Sequence, residues 1–272
     1  MFDPLPSDLA LALQRAAPQL GSFSRLRYCA ETESTNDLAL ALAASGEPEG
    51  VAVLADMQRA GRGRRGRGWF SPPEAGLYLS TIVRPARSTG NVSLITLAAG
   101  VAAANAVQGV ASLPVELKWP NDLVIGRPWR KLGGVLCETS GHGSRIEAVV
   151  IGIGINLLQV AYPREISNRA TSIETELGRP IERAPLVVTL LGALSGVMND
   201  LHASATDRVC DAWRRLASAG LSGAPVRWTG AAGERTGRAR DIDRDGALLV
   251  DTAAGVERVI AGEVLWDGLS RV

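Results

Sequence analysis

Hydrophobic and polar positions follow two periods along the chain, and each period predicts one kind of element. Apolar residues three or four positions apart predict helices, at residues 7–17, 93–110, 184–204 and 206–220. Short alternating or continuous apolar runs predict strands, at residues 23–31, 50–58, 76–85, 130–140 and 145–157, and on either side of a turn within 114–126. The runs at 130–140 and 145–157 predict an antiparallel pair around a turn at Gly141–Gly143.

Two local patterns extend this outline. Ser34, with Asp37 three residues later, forms a capping-box pattern before an apolar run, and Gly46 stands where that helix would end. Within the otherwise irregular residues 157–180, TSIETEL predicts one or two helical turns. After Gly220 short apolar runs alternate with Gly and Asp turns, which is typical of a small β-barrel. We therefore predict two domains, at residues 1–220 and 221–272.

Composition and charge narrow the class of protein. The 272 residues include 29 Lys+Arg and 28 Asp+Glu, so the net charge is only +1. A protein that binds DNA or an anionic membrane is usually basic over a whole face. Three widely spaced cysteines without a C-x-x-C pair argue against a zinc site and favour a reducing compartment. The first 20 residues lack the basic start of a signal peptide, and the apolar runs are interrupted below membrane length. We expect a cytoplasmic protein that binds no membrane.

The most unusual segment is DMQRAGRGRRGRGWF, residues 56–70. It places five arginines and four glycines between Arg59 and Gly68, directly after a predicted strand. Glycine lets the backbone approach a phosphate closely, and arginine grips carboxylate or phosphate oxygens two at a time. The segment predicts a loop that closes over an anionic ligand, with Trp69 and Phe70 as its apolar anchor. A solvated basic turn is the alternative.

Two motifs with a lysine follow. In KWPNDL (118–123) the proline forces a turn that places an amide and a carboxylate at one strand edge, which suits metal or amine handling. Ordinary turn chemistry accounts for the same residues. In RKLGGVL (130–136) a lysine enters an apolar strand, where it must meet an anion or reach solvent. The paired glycines leave room for a ligand against the strand, or mark a bulge.

Two shorter motifs are weaker. GIGIN (152–156) places alternate glycines on an apolar strand and predicts a close approach to its backbone. It lacks the third glycine and the following helix of a dinucleotide-binding loop. ESTN (33–36) supplies good helix-capping residues, and a helix start can also offer free N–H groups to a ligand.

Taken in order, ESTN, QRAGRGRRGRGW, KWPNDL, RKLGGVL and GIGIN closely resemble the biotin–protein ligases, from about Tyr28 to Asn156 and more loosely to the C-terminus. The resemblance implies an α+β fold, with a mixed-sheet catalytic domain related to class II aminoacyl-tRNA synthetases and a small SH3-like barrel. It implies that ATP and biotin, with Mg²⁺, form biotinyl-5′-AMP and pyrophosphate. Biotin then passes to one lysine of a biotin carboxyl carrier protein.

The resemblance also implies roles for matching residues. Those implied to bind biotin are Ser34, Thr35, Asn36, Gln58, Arg62, Gly63, Arg64, Lys131, Gly133 and Gly134. Those implied to lie near the nucleotide are Arg65, Arg67, Trp69, Asn121 and Asn156. The implied catalytic residues are Lys131, Arg64 and Asp122. Of these, Asp122 is also the implied Mg²⁺ ligand and the site where the attacking lysine amine would lose its proton.

The sequence departs from the family pattern in two places, and two alternative functions are left open. About 27 residues precede Tyr28, too few for the DNA-binding domain of some relatives, so we expect no repressor role and no nucleic-acid partner. The stretch NRATSI (168–173) lacks the aromatic residue that covers adenine in some relatives. The resemblance leaves a homodimer open. A lipoyl- or octanoyl-attaching enzyme of the same fold is one alternative. An RNA-binding protein is the other, although 4% aromatic residues provide few surfaces for base stacking.

Overall fold

A seven-stranded mixed sheet organises the N-terminal part of the computed structural model, which describes residues 2–85, 91–142, 145–230, 233–260 and 262–269. The strand order is β1-β2-β3-β7-β6-β5-β4, with β1 and β2 parallel and every other neighbouring pair antiparallel. Its strands are β1 (Leu26–Thr32), β2 (Ala52–Gln58), β3 (Gly76–Val83), β4 (Glu116–Lys118), β5 (Asp122–Ile125), β6 (Arg130–His142) and β7 (Arg145–Asn156).

Helices cover this sheet. They are α1 (Ser7–Leu20), α2 (Thr35–Ala44), α3 (Val92–Ala111), α4 (Ile173–Leu177), α5 (Arg183–His202), α6 (Thr206–Leu216) and α7 (Ser218–Leu221). The parallel connection from β1 to β2 runs through α2, as a crossover requires. The alanine-rich helix α3 is buried over most of its surface between the sheet and α5 and α6. The small side chains of α3 allow these neighbours to approach closely.

A second sheet follows at the C-terminus, in the order β11-β10-β9-β8-β12. Its strands are β8 (Pro225–Gly230), β9 (Gly233–Ile242), β10 (Leu248–Thr252), β11 (Gly255–Val259) and β12 (Val264–Trp266). The α+β fold with a mixed sheet and a small C-terminal β-domain is therefore confirmed. The segment 262–267, which includes β12, reaches back to the first domain and lines the cavity described below.

Three local predictions need correction or comment. Ser34 occupies the N-cap position of α2, but its side chain makes no capping hydrogen bond, so the capping box is wrong. Asp37 instead accepts from Arg62 at 2.6 Å. The helix predicted at 206–220 is divided at Ala217 into α6 and α7. The antiparallel pairing of β6 with β7 is confirmed, although Gly143 of the predicted turn lies outside the described residues.

The expectation that every apolar run falls short of membrane length is wrong for α3 and α5. Among the described residues, these two helices of 20 residues each are long and apolar enough to cross a membrane. Within the fold, 72% of the apolar 18-residue stretch of α3 is buried against the rest of the protein, and 50% of the corresponding stretch of α5. Both helices therefore contribute their apolar surface to the core of the first domain.

Candidate functional site

A cavity of about 660 Å³ lies between the two domains. Its walls come from the start of α2, the arginine-rich loop after β2, the β4–β5 hairpin, β6, β7 and the C-terminal segment 262–267. The volume is that of a site for a small molecule. Every residue predicted for the site lines this cavity except Gly133.

One end of the cavity is neutral and polar. Thr35, at the start of α2, donates to Gln58 Oε1 from its backbone N at 2.9 Å and from its hydroxyl at 3.1 Å. The Gln58 amide nitrogen donates to Ser71 Oγ at 2.9 Å, which fixes the orientation of the amide. Because these groups are already held in place, they offer a ligand a preorganised set of donors and acceptors.

Asn36 is held from three strands at this neutral end. Its Nδ2 donates to Glu138 of β6 at 2.6 Å, and its Oδ1 lies 2.5 Å from the hydroxyl of Ser80 on β3. A Cβ placed on Gly152 of β7 would lie 2.2 Å from Asn36 Oδ1. Gly152 is therefore small so that the Asn36 side chain can pack against the strand.

The other glycine motifs have a similar explanation. A Cβ on Gly154 would lie 2.5 Å from Trp69 Cε2, so the indole rests directly on β7. The close approach that GIGIN predicts is thus confirmed, but two side chains of the protein itself make it. A Cβ on Gly133 would meet the carbonyl oxygen of Gly154 at 2.7 Å, and Gly133 does not line the cavity. Gly134 does line it, beside Lys131.

The packing of Trp69 gives a stability prediction. Gly154→Ala should displace the indole and cost about 1–3 kcal/mol in the free energy of unfolding, because the added methyl overpacks the contact. Urea unfolding measures the loss, and faster trypsin cleavage after the loop arginines reports release of the anchor. The control is Gly196→Ala on α5, whose Cβ would meet nothing within 4 Å, and it should not lower stability. Unchanged stability and cleavage in Gly154→Ala would contradict this packing.

The arginine-rich loop is fixed at both of its ends. Near its start, Arg62 donates to Asp37 at 2.6 and 2.7 Å and to Glu138 at 2.9 Å. At its end, the Trp69 backbone N–H donates to Gly61 O at 2.8 Å. The loop therefore has a defined conformation and lines the cavity, although the side chains of Arg59, Arg65 and Arg67 remain mostly exposed.

The middle of the loop contacts the C-terminal domain. Arg64 reaches the carbonyl oxygen of Gly262 at 3.4 Å, while Arg67 hydrogen-bonds Glu263 and Arg65 lies 3.9 Å from the same carboxylate. The hydrogen bond from Arg67 is the main cause that lowers the pKa of Glu263. Burial lowers the pKa of Arg64. The C-terminal domain thus completes the cationic end of the cavity, which no motif in the first domain indicated.

Asp122 lies at the centre of this cationic end. Its Oδ1 is 2.6 Å from Lys131 Nζ, and Lys131 also lies 5.4 Å from the centre of the Trp69 ring. Burial acts to raise the pKa of Asp122, but Lys131, Lys118 and Arg64 together hold it below its usual value. The carboxylate is therefore ionised at neutral pH. Of the two alternatives left open for the lysine of RKLGGVL, the structure shows the anion, although the Lys131 side chain also remains partly exposed.

The two asparagines of the predicted nucleotide site support the backbone as well as line the cavity. Asn121 Nδ2 donates to Val135 O at 2.8 Å and thereby ties the β4–β5 hairpin to β6. Asn156 Nδ2 donates to Thr171 O at 2.9 Å and holds the segment that leads to α4.

An aromatic pair was missed from the sequence. NRATSI contains no aromatic residue, but Tyr162, upstream in the same irregular segment, meets Phe70 edge to face with ring centres 6.2 Å apart. Both rings line the cavity. A tyrosine in an irregular segment has no periodic signal, so only the three-dimensional contact with Phe70 reveals it.

The fold and the cavity together define an enzyme-like site of small-molecule size, with a polar part around Thr35 and Gln58 and a strongly basic part at the arginine-rich loop. Residues 28–156 match the biotin/lipoate A/B protein ligase family, and residues 221–265 match the biotin protein ligase C-terminal domain. The biotin--[acetyl-CoA-carboxylase] ligase of Paracoccus denitrificans is 34% identical over 88% of this chain and 99% of its own. The bifunctional ligase/repressor BirA of Bacillus subtilis is 33% identical over 85% of this chain and 70% of its own.

Solved structures agree with these matches. The biotin protein ligase from Aquifex aeolicus in complex with biotin and ATP has a TM-score of 0.78 at 27% identity, over 89% of this chain and 99% of that chain. The chain belongs to the biotin/lipoate A/B protein ligase family, and within it to the biotin protein ligases.

Proposed function

We propose that this biotin protein ligase activates biotin with ATP to biotinyl-5′-AMP, releases pyrophosphate, and transfers biotin to a lysine of a biotin carboxyl carrier protein. The observation that carries the proposal is the charge of the cavity. Eight basic and three acidic residues line it in a chain whose net charge is only +1. A ligand with several negative charges, such as a nucleoside triphosphate, complements that excess.

The neutral end suits the ring of biotin. A ureido group offers two N–H donors and one carbonyl acceptor, and the groups around Thr35, Asn36 and Gln58 include both donors and acceptors. Thr35 and Asn36 are buried, so each hydrogen bond that they make to the ligand is worth more than one at the surface. Arg62, beside this end, and Gly63 and Gly134, which line the cavity, are proposed to bind biotin as well.

Adenylation brings the biotin carboxylate to the α-phosphate of ATP. Two anions repel each other, and a cation near both lowers that cost. Lys131 and Arg64 flank Asp122 at the cationic end and are proposed to supply this charge. Arg65 and Arg67, which now pair with Glu263, are proposed to take the remaining phosphates. The tethered loop would shield the reactive anhydride from water.

Asp122 is proposed to act through its charge. The attacking lysine must lose a proton, but a carboxylate held below its usual pKa is a weak base. Its ionised form attracts the incoming ammonium and orients Lys131. We therefore assign to Asp122 mainly an electrostatic role in transfer and a smaller part as proton acceptor.

Magnesium fits the site only together with ATP. Among the described residues no three potential ligands cluster, and Asp122 is the cavity-lining carboxylate that pairs with Lys131. Mg²⁺ commonly uses one or two carboxylates and completes its shell with substrate phosphates and water. Asp122 would hold such an ion, which would offset phosphate charge. The domain boundary at 220–221, the cytoplasmic location, a homodimer and the absence of a repressor role stay predictions.

The function is tested by mass spectrometry of a biotin carboxyl carrier domain incubated with the enzyme, ATP, Mg²⁺ and biotin. The carrier should gain one biotin, and a carrier whose acceptor lysine is replaced by arginine should gain none. Lipoate in place of biotin should leave the carrier unmodified. A carrier that gains lipoate but not biotin would instead support the lipoyl-attaching alternative.

A further inference from the structure

Glu138 lies on β6 just beyond the cavity, and no sequence motif pointed to it. Successive residues of a strand point to opposite faces, so Glu138 shares a face with Gly134 and Leu136, which line the cavity. The side chain of Glu138 is partly buried and does not itself line the cavity. Its carboxylate can therefore influence a bound ligand through the side chains that it contacts.

Two cavity-lining side chains donate to the same oxygen of Glu138. Asn36 Nδ2 lies 2.6 Å from Glu138 Oε2, and a terminal guanidinium nitrogen of Arg62 lies 2.9 Å from it. Within the described residues Asn36 Nδ2 has no other partner, whereas Arg62 also donates to Asp37 at 2.6 and 2.7 Å. Asn36 therefore depends on Glu138 more than Arg62 does.

The contact with Glu138 fixes which way the Asn36 amide faces. An asparagine amide has a donor nitrogen and an acceptor oxygen of nearly equal size, and its hydrogen-bond partners decide between the two orientations. A carboxylate in an ion pair with arginine offers acceptors alone, so the amide nitrogen must face Glu138. The amide oxygen then faces the hydroxyl of Ser80, which is buried 2.5 Å away and can donate.

The orientation of Asn36 affects a chain of polar groups. Ser80 Oγ also lies 2.7 Å from Thr35 Oγ1, and Thr35 in turn donates to Gln58 Oε1. If the Asn36 amide turned over, its oxygen would meet the carboxylate of Glu138, and Ser80 would have to accept from the amide nitrogen. The pattern of donors and acceptors would change along the whole chain. A buried network of this kind is rigid only when every group has a matching partner.

We propose that Glu138 is a positioning residue that sets the pattern of donors and acceptors met by the ureido group of biotin. This inference rests on the proposed function and deepens it, because Glu138 would control biotin affinity from outside the cavity lining. The groups that it orders belong to the neutral end of the cavity. Glu138 should therefore affect the binding of biotin and leave the use of ATP unchanged.

The experiment measures the dissociation constant for biotin by titration calorimetry without ATP, and then the KM for ATP at saturating biotin. Glu138→Met keeps the size of the side chain but removes the acceptor. It should weaken biotin binding by about 10- to 100-fold, the size of a lost hydrogen bond to a charged group. Its KM for ATP and its melting temperature should stay close to those of the unmodified protein. Glu138→Gln keeps an acceptor for Asn36 and should recover part of the affinity.

A double-variant cycle tests whether Glu138 acts through Asn36. Asn36→Ala should itself weaken biotin binding, and adding Glu138→Met to it should weaken binding by less than about threefold more, because the amide that Glu138 orients is gone. A general loss of structure would instead make the two effects multiply. The cycle can equally be run with Glu138→Gln if Glu138→Met melts below the assay temperature.

The matched control is Glu257→Met on β11. The side chain of Glu257 is 30% exposed against 31% for Glu138, and it also pairs with an arginine, Arg235, at 2.7 Å, but it lies outside the cavity lining. This variant should bind biotin normally. Normal biotin affinity in Glu138→Met, or effects of Asn36→Ala and Glu138→Met that multiply in full, would overturn the inference. Absence of biotin binding by the unmodified protein would instead contradict the proposed function, so the two failures are distinguishable.

Discussion

Lys131→Ala should reduce the rate of biotin adenylation by about 10²–10³-fold, the usual cost of removing one preorganised charge from a reacting centre. Lys131 is the cation paired with Asp122 at 2.6 Å, and it lies over the Trp69 ring. In the proposed mechanism its loss removes positive charge from the point where the carboxylate would meet the α-phosphate. It also leaves Asp122 to repel both anions.

Single-turnover formation of biotinyl-5′-AMP measures this effect without the later transfer step. The fold should survive, because Lys118 and Arg64 still act on Asp122. A melting temperature close to that of the unmodified protein checks this point. Arg215→Ala on α6, a basic residue outside the main cavity, is the control and should adenylate normally. Adenylation within about threefold of normal in Lys131→Ala would remove Lys131 from the mechanism.

Arg64→Ala should lower adenylation by a similar factor of about 10²–10³, and in addition release the loop from the C-terminal domain. Arg64 contacts Asn121 Oδ1 at 3.3 Å and the Gly262 carbonyl at 3.4 Å, so it joins the loop, the β4–β5 hairpin and the second domain. A closed loop should protect the bound anhydride, so this variant should also release biotinyl-5′-AMP into solution faster.

The rate at which labelled biotinyl-5′-AMP leaves the protein measures that second effect. Arg59→Ala is the matched control within the same loop, because Arg59 pairs with Glu31 and Glu33 and does not line the cavity. It should leave both rates unchanged. If Arg64→Ala retained the adenylate as long as the unmodified protein does, Arg64 would have no part in closing the loop.

Most of the fold follows from local signals in the sequence. The strands that contain GIGIN and RKLGGVL have continuous apolar runs, and such runs are buried on both faces of a sheet. The capping box predicted at Ser34 does not form, because a tertiary contact engages its acidic residue. Asp37 binds Arg62 from the loop, and a local helix cap cannot compete with a charged partner at 2.6 Å.

The site residues that lie in sequence motifs could be predicted. Those that the C-terminal domain contributes could not. Glu263 and Gly262 reach the arginines only because the second domain packs against the loop, which is about 200 residues earlier in the chain. Gly133 shows the opposite error. It shares a motif with Gly134, but successive residues of a strand point to opposite faces, so only one of the two lines the cavity.

The central claim is that this cavity joins biotin to ATP before any acceptor protein is present. Biotin-dependent exchange of labelled pyrophosphate into ATP, measured with purified protein and Mg²⁺ and no carrier, tests it most directly. We predict exchange that requires biotin, that lipoate does not support, and that Lys131→Ala and Arg64→Ala both abolish. A folded protein that shows no exchange with biotin, or equal exchange in the two variants, would contradict the claim.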